Sequence, residues 1–270
     1  MKSFCLFKKR ILRKKLFMLT FGTLLSCSLV SQGASIHGFY KSKIEVAEAK
    51  RLLPIYCVDT NGEKKVALTF DAAWGAEDLT QIVEILEKYQ VRATFFVVGD
   101  WARKYPEEVK LLIQKGHDVA NHSNKHPHMN SMSKEEIKKD IMAADASIKE
   151  IAGKETKLFR PPYGEYNNTV VEATKECGYY CIQWDVDSLD WKNYGVQPLI
   201  DKVVNHKNLR PGSIILMHNG AKYTAQALEA IIKGVQDKGF IFVPVSELLL
   251  ADEEYSIDFE GRQKSSQPIH

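Results

Sequence analysis

Seven short apolar runs alternate with segments of helical periodicity, and this alternation limits the fold more than any other feature of the chain. The runs occupy residues 66–70, 93–98, 117–120, 157–159, 180–186, 213–217 and 240–245. Most are continuously apolar rather than alternating with polar residues, which indicates strands covered on both faces. The pattern predicts an α/β fold in which about seven parallel strands form a closed or nearly closed barrel. An open doubly wound sheet is the alternative.

Helix signals fill the intervals between the apolar runs. The clearest helix begins after Ser133, where Glu136 completes a capping box, and it ends before Gly153. Further helices are predicted at residues 77–89, 107–115, 169–177, 198–206 and 224–238. Several of them are followed by glycine, the residue that most readily ends a helix.

The amino-terminal segment is distinct from the rest of the chain. Seven Lys and Arg residues and no acid lie in the first fifteen positions, and an apolar stretch at 16–25 and small residues follow. This layout predicts that residues 1–33 are an export signal or an N-terminal membrane anchor, with lipidation at Cys27 as a further alternative. We therefore expect the protein to be exported and to meet a membrane only through this segment.

Three further regions follow this segment. Residues 34–65 are predicted to be a linker that could add an edge strand near 52–58, and residues 66–250 are predicted to be the catalytic domain. The polar residues 251–270 predict a flexible tail.

Charge and cysteine content exclude two classes of function. Without the seven amino-terminal bases, 30 Lys and Arg residues face 34 Asp and Glu residues, a balance of −4. A mildly acidic body without a basic and aromatic patch excludes a general nucleic-acid partner. Only Cys57, Cys177 and Cys181 lie in the body, and the absence of a CxxC pair argues against a cysteine metal site.

Polar clusters follow four of the apolar runs. Asp71 ends the first run, His122 and His126 follow the third, Arg160 follows the fourth, and His218 follows the sixth. Because parallel strands place their chemistry at their carboxyl ends, these side chains are expected to converge. Asp71 is then a candidate general base, and the two histidines are a candidate metal pair that needs a third ligand.

Two further segments add candidate roles. The sequence ArgProProTyrGly, residues 160–164, predicts a rigid turn that aims Arg160 at a carboxylate such as Asp71 and leaves the backbone N–H of Tyr163 to face an oxyanion. For the prolines, a purely structural role is the simpler interpretation. An Asp from the 185–190 segment behind His218 would orient the imidazole and raise its pKa, as a general acid requires.

Five motifs in order resemble the polysaccharide deacetylase family, the carbohydrate esterases with a NodB homology domain. They are ThrPheAspAlaAlaTrp, HisSerAsnLysHis, ArgProProTyrGly, AspSerLeuAspTrp and LeuMetHis, and the resemblance spans about residues 66–250. It implies a distorted (β/α) barrel that removes N-acetyl groups from amino sugars of peptidoglycan or chitin-like cell-wall polysaccharide. The segments ProIleTyrCysVal and AlaTrpGly are most similar to PdaB-like proteins of spore-forming bacteria, which implies a role in spore formation.

The resemblance also implies a role for each motif residue. Asp71 would be the base, Arg160 its steering partner, His218 the acid and Asp190 the support of that acid. His122 and His126 would ligate a divalent Zn, Co or Mn ion, Tyr163 would supply the oxyanion N–H, and Trp191 and Leu216 would line the acetyl pocket.

One position departs from the family pattern. Most members place a second Asp directly after the base as the third metal ligand, whereas this chain has Ala72. The ion is therefore expected to be weakly held, if at all, unless water, Asn121 or Glu77 substitutes.

Three hypotheses of function remain. A metal-assisted deacetylase is favoured by the retained base and acid, and a glycan-binding relative with little or no turnover is favoured by Ala72. The third is a two-carboxylate glycosidase. Neither the amino sugar nor the oligomeric state follows from the sequence.

Overall fold

The computed structural model describes residues 51–251 and 254–266. The predicted export signal or anchor at residues 1–33 and the first part of the predicted linker at 34–65 lie outside the described residues. Within the described ranges, no helix is both long enough and apolar enough to span a bilayer.

Parallel strands form the centre of the fold. The strands are β1 (Cys57–Val58), β2 (Lys65–Ala72), β3 (Thr94–Val97), β4 (Asp118–Asn121), β5 (Leu158–Phe159), β6 (Tyr180–Cys181), β7 (Val186–Asp187), β8 (Ile214–His218), β9 (Ile241–Phe242), β10 (Tyr255–Ile257) and β11 (Arg262–Ser265). Seven of them form a parallel sheet in the order β6-β5-β4-β3-β2-β8-β7, and β9 pairs with the start of β2. The predicted distorted (β/α) barrel is confirmed, in the form of a half-barrel of seven parallel strands.

Helices cover the outer face of this sheet. They are α1 (Leu79–Lys88), α2 (Gly99–Lys104), α3 (Pro106–Gln114), α4 (Lys134–Ala152), α5 (Asn168–Glu176), α6 (Val196–Val204), α7 (Thr224–Asp237) and α8 (Val245–Leu248). The capping box is present at the start of α4, with reciprocal hydrogen bonds between Ser133 and Glu136. The sequence does not predict α2 and α8, because six and four residues are too few to display a helical period.

Strand β2 separates two layers of the core and thereby sets the position of the site. Its even-numbered residues belong to the apolar cluster beneath the helices: Val66, Leu68, Phe70 and Ala72. Thr69 and Asp71 point the other way, into the barrel, where both contact Arg160. The period of two in a strand therefore delivers the carboxylate to the inner face.

The carboxyl-terminal segment differs from the predicted flexible tail. Strands β10 and β11 form an antiparallel hairpin, and β11 pairs in parallel with β1, so that the predicted edge strand joins this small sheet. Gln263 is fully buried, and its side-chain carbonyl accepts a hydrogen bond from the backbone N–H of Leu250 at 3.0 Å. The hairpin is held by backbone pairing and by one buried side-chain amide. Because it contains few apolar residues, the hydropathy pattern does not predict it.

The apolar run at 180–186 also differs from the prediction, because it forms two short strands, β6 and β7, instead of one. Between them, the Asp185 carboxylate accepts a hydrogen bond from the backbone N–H of Ile214 at 3.0 Å. This side-chain contact connects the segment to β8, and a side-chain acceptor in a strand-like run is not visible in the hydropathy pattern.

Candidate active site

A cavity of about 400 Å³ lies at the carboxyl ends of the central strands. Seven of the nine predicted site residues line it: Asp71, His122, His126, Tyr163, Trp191, Leu216 and His218. The other two, Arg160 and Asp190, are buried directly behind Asp71 and His218. The register of β2 and β8 pairs Asp71 with His218, so the candidate base and acid stand side by side.

Asp71 is held by a fully buried guanidinium. Arg160 Nη1 donates to Asp71 Oδ1 at 2.6 Å and to Thr69 Oγ1 at 2.9 Å, while Nη2 donates to the carbonyl of Gln183 at 3.2 Å. Burial tends to raise the pKa of Asp71, but the charge of Arg160 and the nearby imidazoles outweigh it and lower the pKa below its usual value. The carboxylate is therefore ionised at neutral pH and able to accept a proton.

Aromatic rings enclose the Arg160 guanidinium. Its carbon lies 4.0 Å from the ring centre of Phe96 and 5.4 Å from that of Trp184. These cation–π contacts and the ion pair with Asp71 both offset part of the cost of burying the charge.

His122 is fixed in one tautomer. Its Nδ1 lies 2.8 Å from the carbonyl oxygen of Arg160, which can only accept, so Nδ1 carries the proton. Nε2 is then an unprotonated nitrogen, and it lies 3.5 Å from Asp71 Oδ2. Two lone-pair atoms face one another there, an arrangement that suits a cation between them.

His126 lies beside His122, with 4.9 Å between the ring centres. Burial lowers the pKa of both imidazoles, that of His126 to about 4, so both are neutral at physiological pH, as metal ligation requires. The backbone N–H of His126 donates to Ser123 Oγ, and both residues adopt positive φ. This compact turn directs the two rings toward the same cavity.

The donor set for a metal ion is incomplete. Within the residues that the structure describes, no three His, Cys, Asp or Glu side chains are grouped to hold an ion. Asn121 is no substitute for the missing ligand, because its amide donates to the Ile141 carbonyl and its oxygen accepts from Ser123 N. Glu77 does not line the cavity either. His122 and His126 supply two nitrogens, so a divalent ion fits here only if water or substrate supplies further oxygens.

Ala72 itself does not line the cavity. Ala72 is fully buried in the apolar cluster beneath the helices, whereas Ala73 lines the cavity. The departure from the family pattern therefore removes a ligand and also leaves a methyl group that packs in the core.

His218 is supported by a buried carboxylate that accepts four hydrogen bonds. Asp190 accepts from the Nδ1 and backbone N–H of His218 and from Thr224 Oγ1, each at 2.7 Å, and from Trp191 N at 2.9 Å. Burial alone would lower the pKa of His218, but the hydrogen bond and charge of Asp190 outweigh it and raise the pKa. The protonated imidazole is thereby stabilised, as a general acid requires.

Tyr163 occupies a strained position at the edge of the cavity. It has φ 59° and ψ 5° in the turn at Pro162–Gly164, and its ring stacks on His128 with 4.2 Å between ring centres. A left-handed conformation in a residue with a side chain costs about 1–3 kcal/mol and is concentrated at functional sites. The turn also needs Gly164, because a Cβ there would lie 2.7 Å from the ring of Trp184.

Sequence reasoning missed several residues of this site. Thr69 accepts a hydrogen bond from Arg160, and Thr224 donates one to Asp190. The rings of Trp74 and Trp184 line the cavity. Thr69 carried a signal, because it lies two positions before Asp71 on the same face of β2. Thr224 carried none, since it reaches the site only through the packing of α7.

Comparison with known proteins assigns the family. The sequence model described as polysaccharide deacetylase matches residues 59–182. A peptidoglycan-N-acetylglucosamine deacetylase of Bacillus cereus is 36% identical over 194 residues, covering 70% of this chain and 90% of that protein. The chain belongs to the polysaccharide deacetylase family. A chitooligosaccharide deacetylase of Sinorhizobium fredii is 30% identical over 195 residues, covering 67% of this chain and 89% of that protein.

The similar solved structures include a protein described as a pseudoenzyme. A CE4 family pseudoenzyme from Bacillus anthracis is similar with a TM-score of 0.69 and 33% identity, covering 72% of this chain and 68% of that chain. A mutant of that protein, described as having restored enzymatic activity, has the same TM-score and is 34% identical. The predicted family is confirmed, and the narrower resemblance to PdaB-like proteins stays a prediction.

Substitution of Ala72 by Asp tests the missing ligand of this deacetylase fold. We expect the metal-free variant to lose about 1–3 kcal/mol of stability, because the carboxylate replaces a methyl group in the core. Added Zn²⁺ is expected to raise the melting temperature of the variant more than that of the parent protein, since a ligand that binds only the folded state stabilises it. Ala72→Asn is the matched control, polar but a poorer ligand. If Zn²⁺ raises the melting temperatures of Ala72→Asp and of the parent protein equally, a side chain at position 72 is excluded as a metal ligand.

Proposed function

We propose that this protein is an exported deacetylase that hydrolyses the N-acetyl groups of amino sugars in cell-wall polysaccharide, either peptidoglycan or a chitin-like polymer. One observation carries the proposal: a carboxylate and an imidazole, each held by its own buried partner, stand side by side on β2 and β8 and face one cavity. A binding site would need neither an oriented acid nor an oriented base.

The geometry supports a hydrolysis in which the two groups exchange protons with the substrate. Asp71 Oδ2 takes a proton from a water whose oxygen adds to the amide carbonyl carbon. The backbone N–H of Tyr163 is the candidate donor to the oxygen that becomes negative. His218 then gives its proton to the sugar nitrogen as the carbon–nitrogen bond breaks, so that acetate and an amine leave.

His122 and His126 are the residues that would hold a divalent ion in this site. When bound, such an ion would polarise the amide carbonyl and lower the pKa of water. With only two imidazoles and Asp71 nearby, we expect the ion to be held weakly.

The names of the relatives support an N-acetylated amino sugar as the substrate. One relative is named for peptidoglycan N-acetylglucosamine and another for chitooligosaccharides. The basic and apolar first 33 residues support export, and the PdaB-like segments support a role in spore formation.

A glycan-binding protein with little or no turnover is the second candidate. Ala72 favours it, and so does the similarity to a CE4 family pseudoenzyme. In a two-carboxylate glycosidase, Asp190 could not be the second carboxylate, because hydrogen bonds occupy both of its oxygens. Asp187, which lines the cavity and accepts a hydrogen bond from Leu189 N at 2.9 Å, would have to take that role.

An acetate assay separates the two candidates. Purified protein would be incubated with N-acetylated peptidoglycan fragments and with chitooligosaccharides, with and without added Zn²⁺, Co²⁺ or Mn²⁺. We expect acetate release that requires added metal and stops when a chelator is added. Glycan binding by a folded protein that releases no acetate above background would establish the binding protein instead.

A further inference from the structure

Exposed aromatic side chains are concentrated at the candidate site. Within the described residues, eight large hydrophobic side chains are strongly exposed, and three of them line the cavity: Trp74, Tyr163 and Trp191. Trp74 is 61% exposed, which leaves most of a large apolar ring in water. Such a concentration of exposed apolar surface at one cavity marks a binding surface.

The Trp74 ring lies near both a candidate metal ligand and the candidate acid. Its centre lies 5.8 Å from the ring centre of His126, on the predicted metal side, and 6.3 Å from that of His218, on the acid side. A ligand that reaches both histidines must therefore pass next to the indole.

The backbone around Trp74 is held in place. The carbonyl of Gly75 accepts hydrogen bonds from Trp101 Nε1 at 3.0 Å and from Asn219 Nδ2 at 2.5 Å. Asp78 Oδ1 accepts from the backbone N–H of Gly220 at 2.8 Å. These bonds connect the loop to α2 and to the residues that follow β8, so little ordering is needed when a ligand binds.

The charges of the cavity indicate what kind of ligand fits. No Lys or Arg is among its described lining residues, and Arg160 behind it is paired with Asp71. Two carboxylates, those of Asp71 and Asp187, line the cavity instead. A ligand with apolar C–H groups on one face and no negative charge matches this lining, because a flat ring packs well on an aromatic face.

We propose that Trp74 is a substrate-binding residue whose indole stacks on the pyranose ring of a neutral N-acetylhexosamine unit placed over His126 and His218. The inference rests on the proposed function for the substrate class. Trp74 ends the motif ThrPheAspAlaAlaTrp, but the family resemblance gives this residue no role. Trp74 acts through binding and takes no part in proton transfer.

Binding of an N-acetylglucosamine oligomer tests the role of Trp74 separately from turnover. By calorimetry, Trp74→Ala is expected to weaken the affinity about tenfold, the loss of one good aromatic contact. Trp74→Phe is expected to keep most of the affinity and to reduce the ligand-induced change in tryptophan fluorescence to the part that comes from Trp184 and Trp191, which also line the cavity. Phe259→Ala is the matched control, because Phe259 is 89% exposed and does not line the cavity, and it should bind like the parent protein.

The kinetic readout uses the same variants. If acetate is released, Trp74→Ala should raise KM about tenfold and leave kcat within about twofold. An unchanged affinity and an unchanged fluorescence response in folded Trp74→Ala would overturn the assignment. If Trp74→Ala binds the oligomer more weakly but the parent protein releases no acetate, the role of Trp74 in binding is upheld and the proposed deacetylase activity is excluded.

Discussion

Replacement of Asp71 by Asn is expected to abolish acetate release and to lower the free energy of unfolding by about 3–5 kcal/mol. The amide cannot take the proton of the attacking water. It also leaves Arg160, which is fully buried, without its counterion at 2.6 Å. Acetate release at saturating metal and chemical denaturation of the same preparation measure the two effects.

A double-mutant cycle separates chemistry from stability in this pair. Asp71→Asn combined with Arg160→Met removes both charges, so the double variant is expected to be more stable than the sum of the single losses predicts. Acetate release should stay absent in all three variants. Activity in Asp71→Asn close to that of the parent protein would exclude Asp71 as the base.

Replacement of Asp190 by Asn is expected to lower kcat by about 10²–10⁴-fold and to move the alkaline limit of activity to lower pH. A general acid works while it is protonated, and Asp190 raises the pKa of His218 against the opposing effect of burial. Without the carboxylate, burial dominates, and the imidazole loses its proton at lower pH. The amide would also place N–H groups against the donors from Thr224 and from the His218 backbone.

The pH profile of kcat distinguishes this role from a structural one. Asp201→Asn, on α6 and away from the cavity, is the control and should leave the profile unchanged. An Asp190→Asn variant with reduced activity but an unchanged alkaline limit would mean that His218 is not the acid. The ion pair of His218 with Asp190 also makes the stability of the fold depend on pH. Its stabilising effect is fully present below the pKa of an unfolded histidine. The effect is lost as the pH rises through the raised pKa of His218 in the folded protein.

Several parts of the site were accessible from the sequence because they depend on local patterns. Asp71, His122, Arg160 and His218 follow apolar runs, and parallel strands bring their carboxyl ends to one side. The orientation of Asp71 also follows from the period of two along β2, which places it with Thr69 inside the barrel.

Other features depend on contacts between distant segments. Thr224 reaches Asp190 only because α7 begins beside Asp190 and β8 in the assembled fold, and no local pattern encodes that contact. The hairpin of β10 and β11 is held by backbone pairing and by buried Gln263, so a hydropathy-based prediction assigns it to a tail. The register of β2 against β8, which sets Asp71 opposite His218, is likewise a property of the assembled sheet.

The sequence by itself determined the alternation of strands and helices, the family motifs and the residue types available for chemistry, because periodicity and composition are local properties. Only the tertiary structure decided that Ala72 packs in the core while Ala73 and Trp74 border the cavity. It also fixed the proton of His122 on Nδ1 through the carbonyl of Arg160. These outcomes depend on which side chains meet across separate strands, and packing and hydrogen-bond satisfaction settle that only when the barrel is assembled.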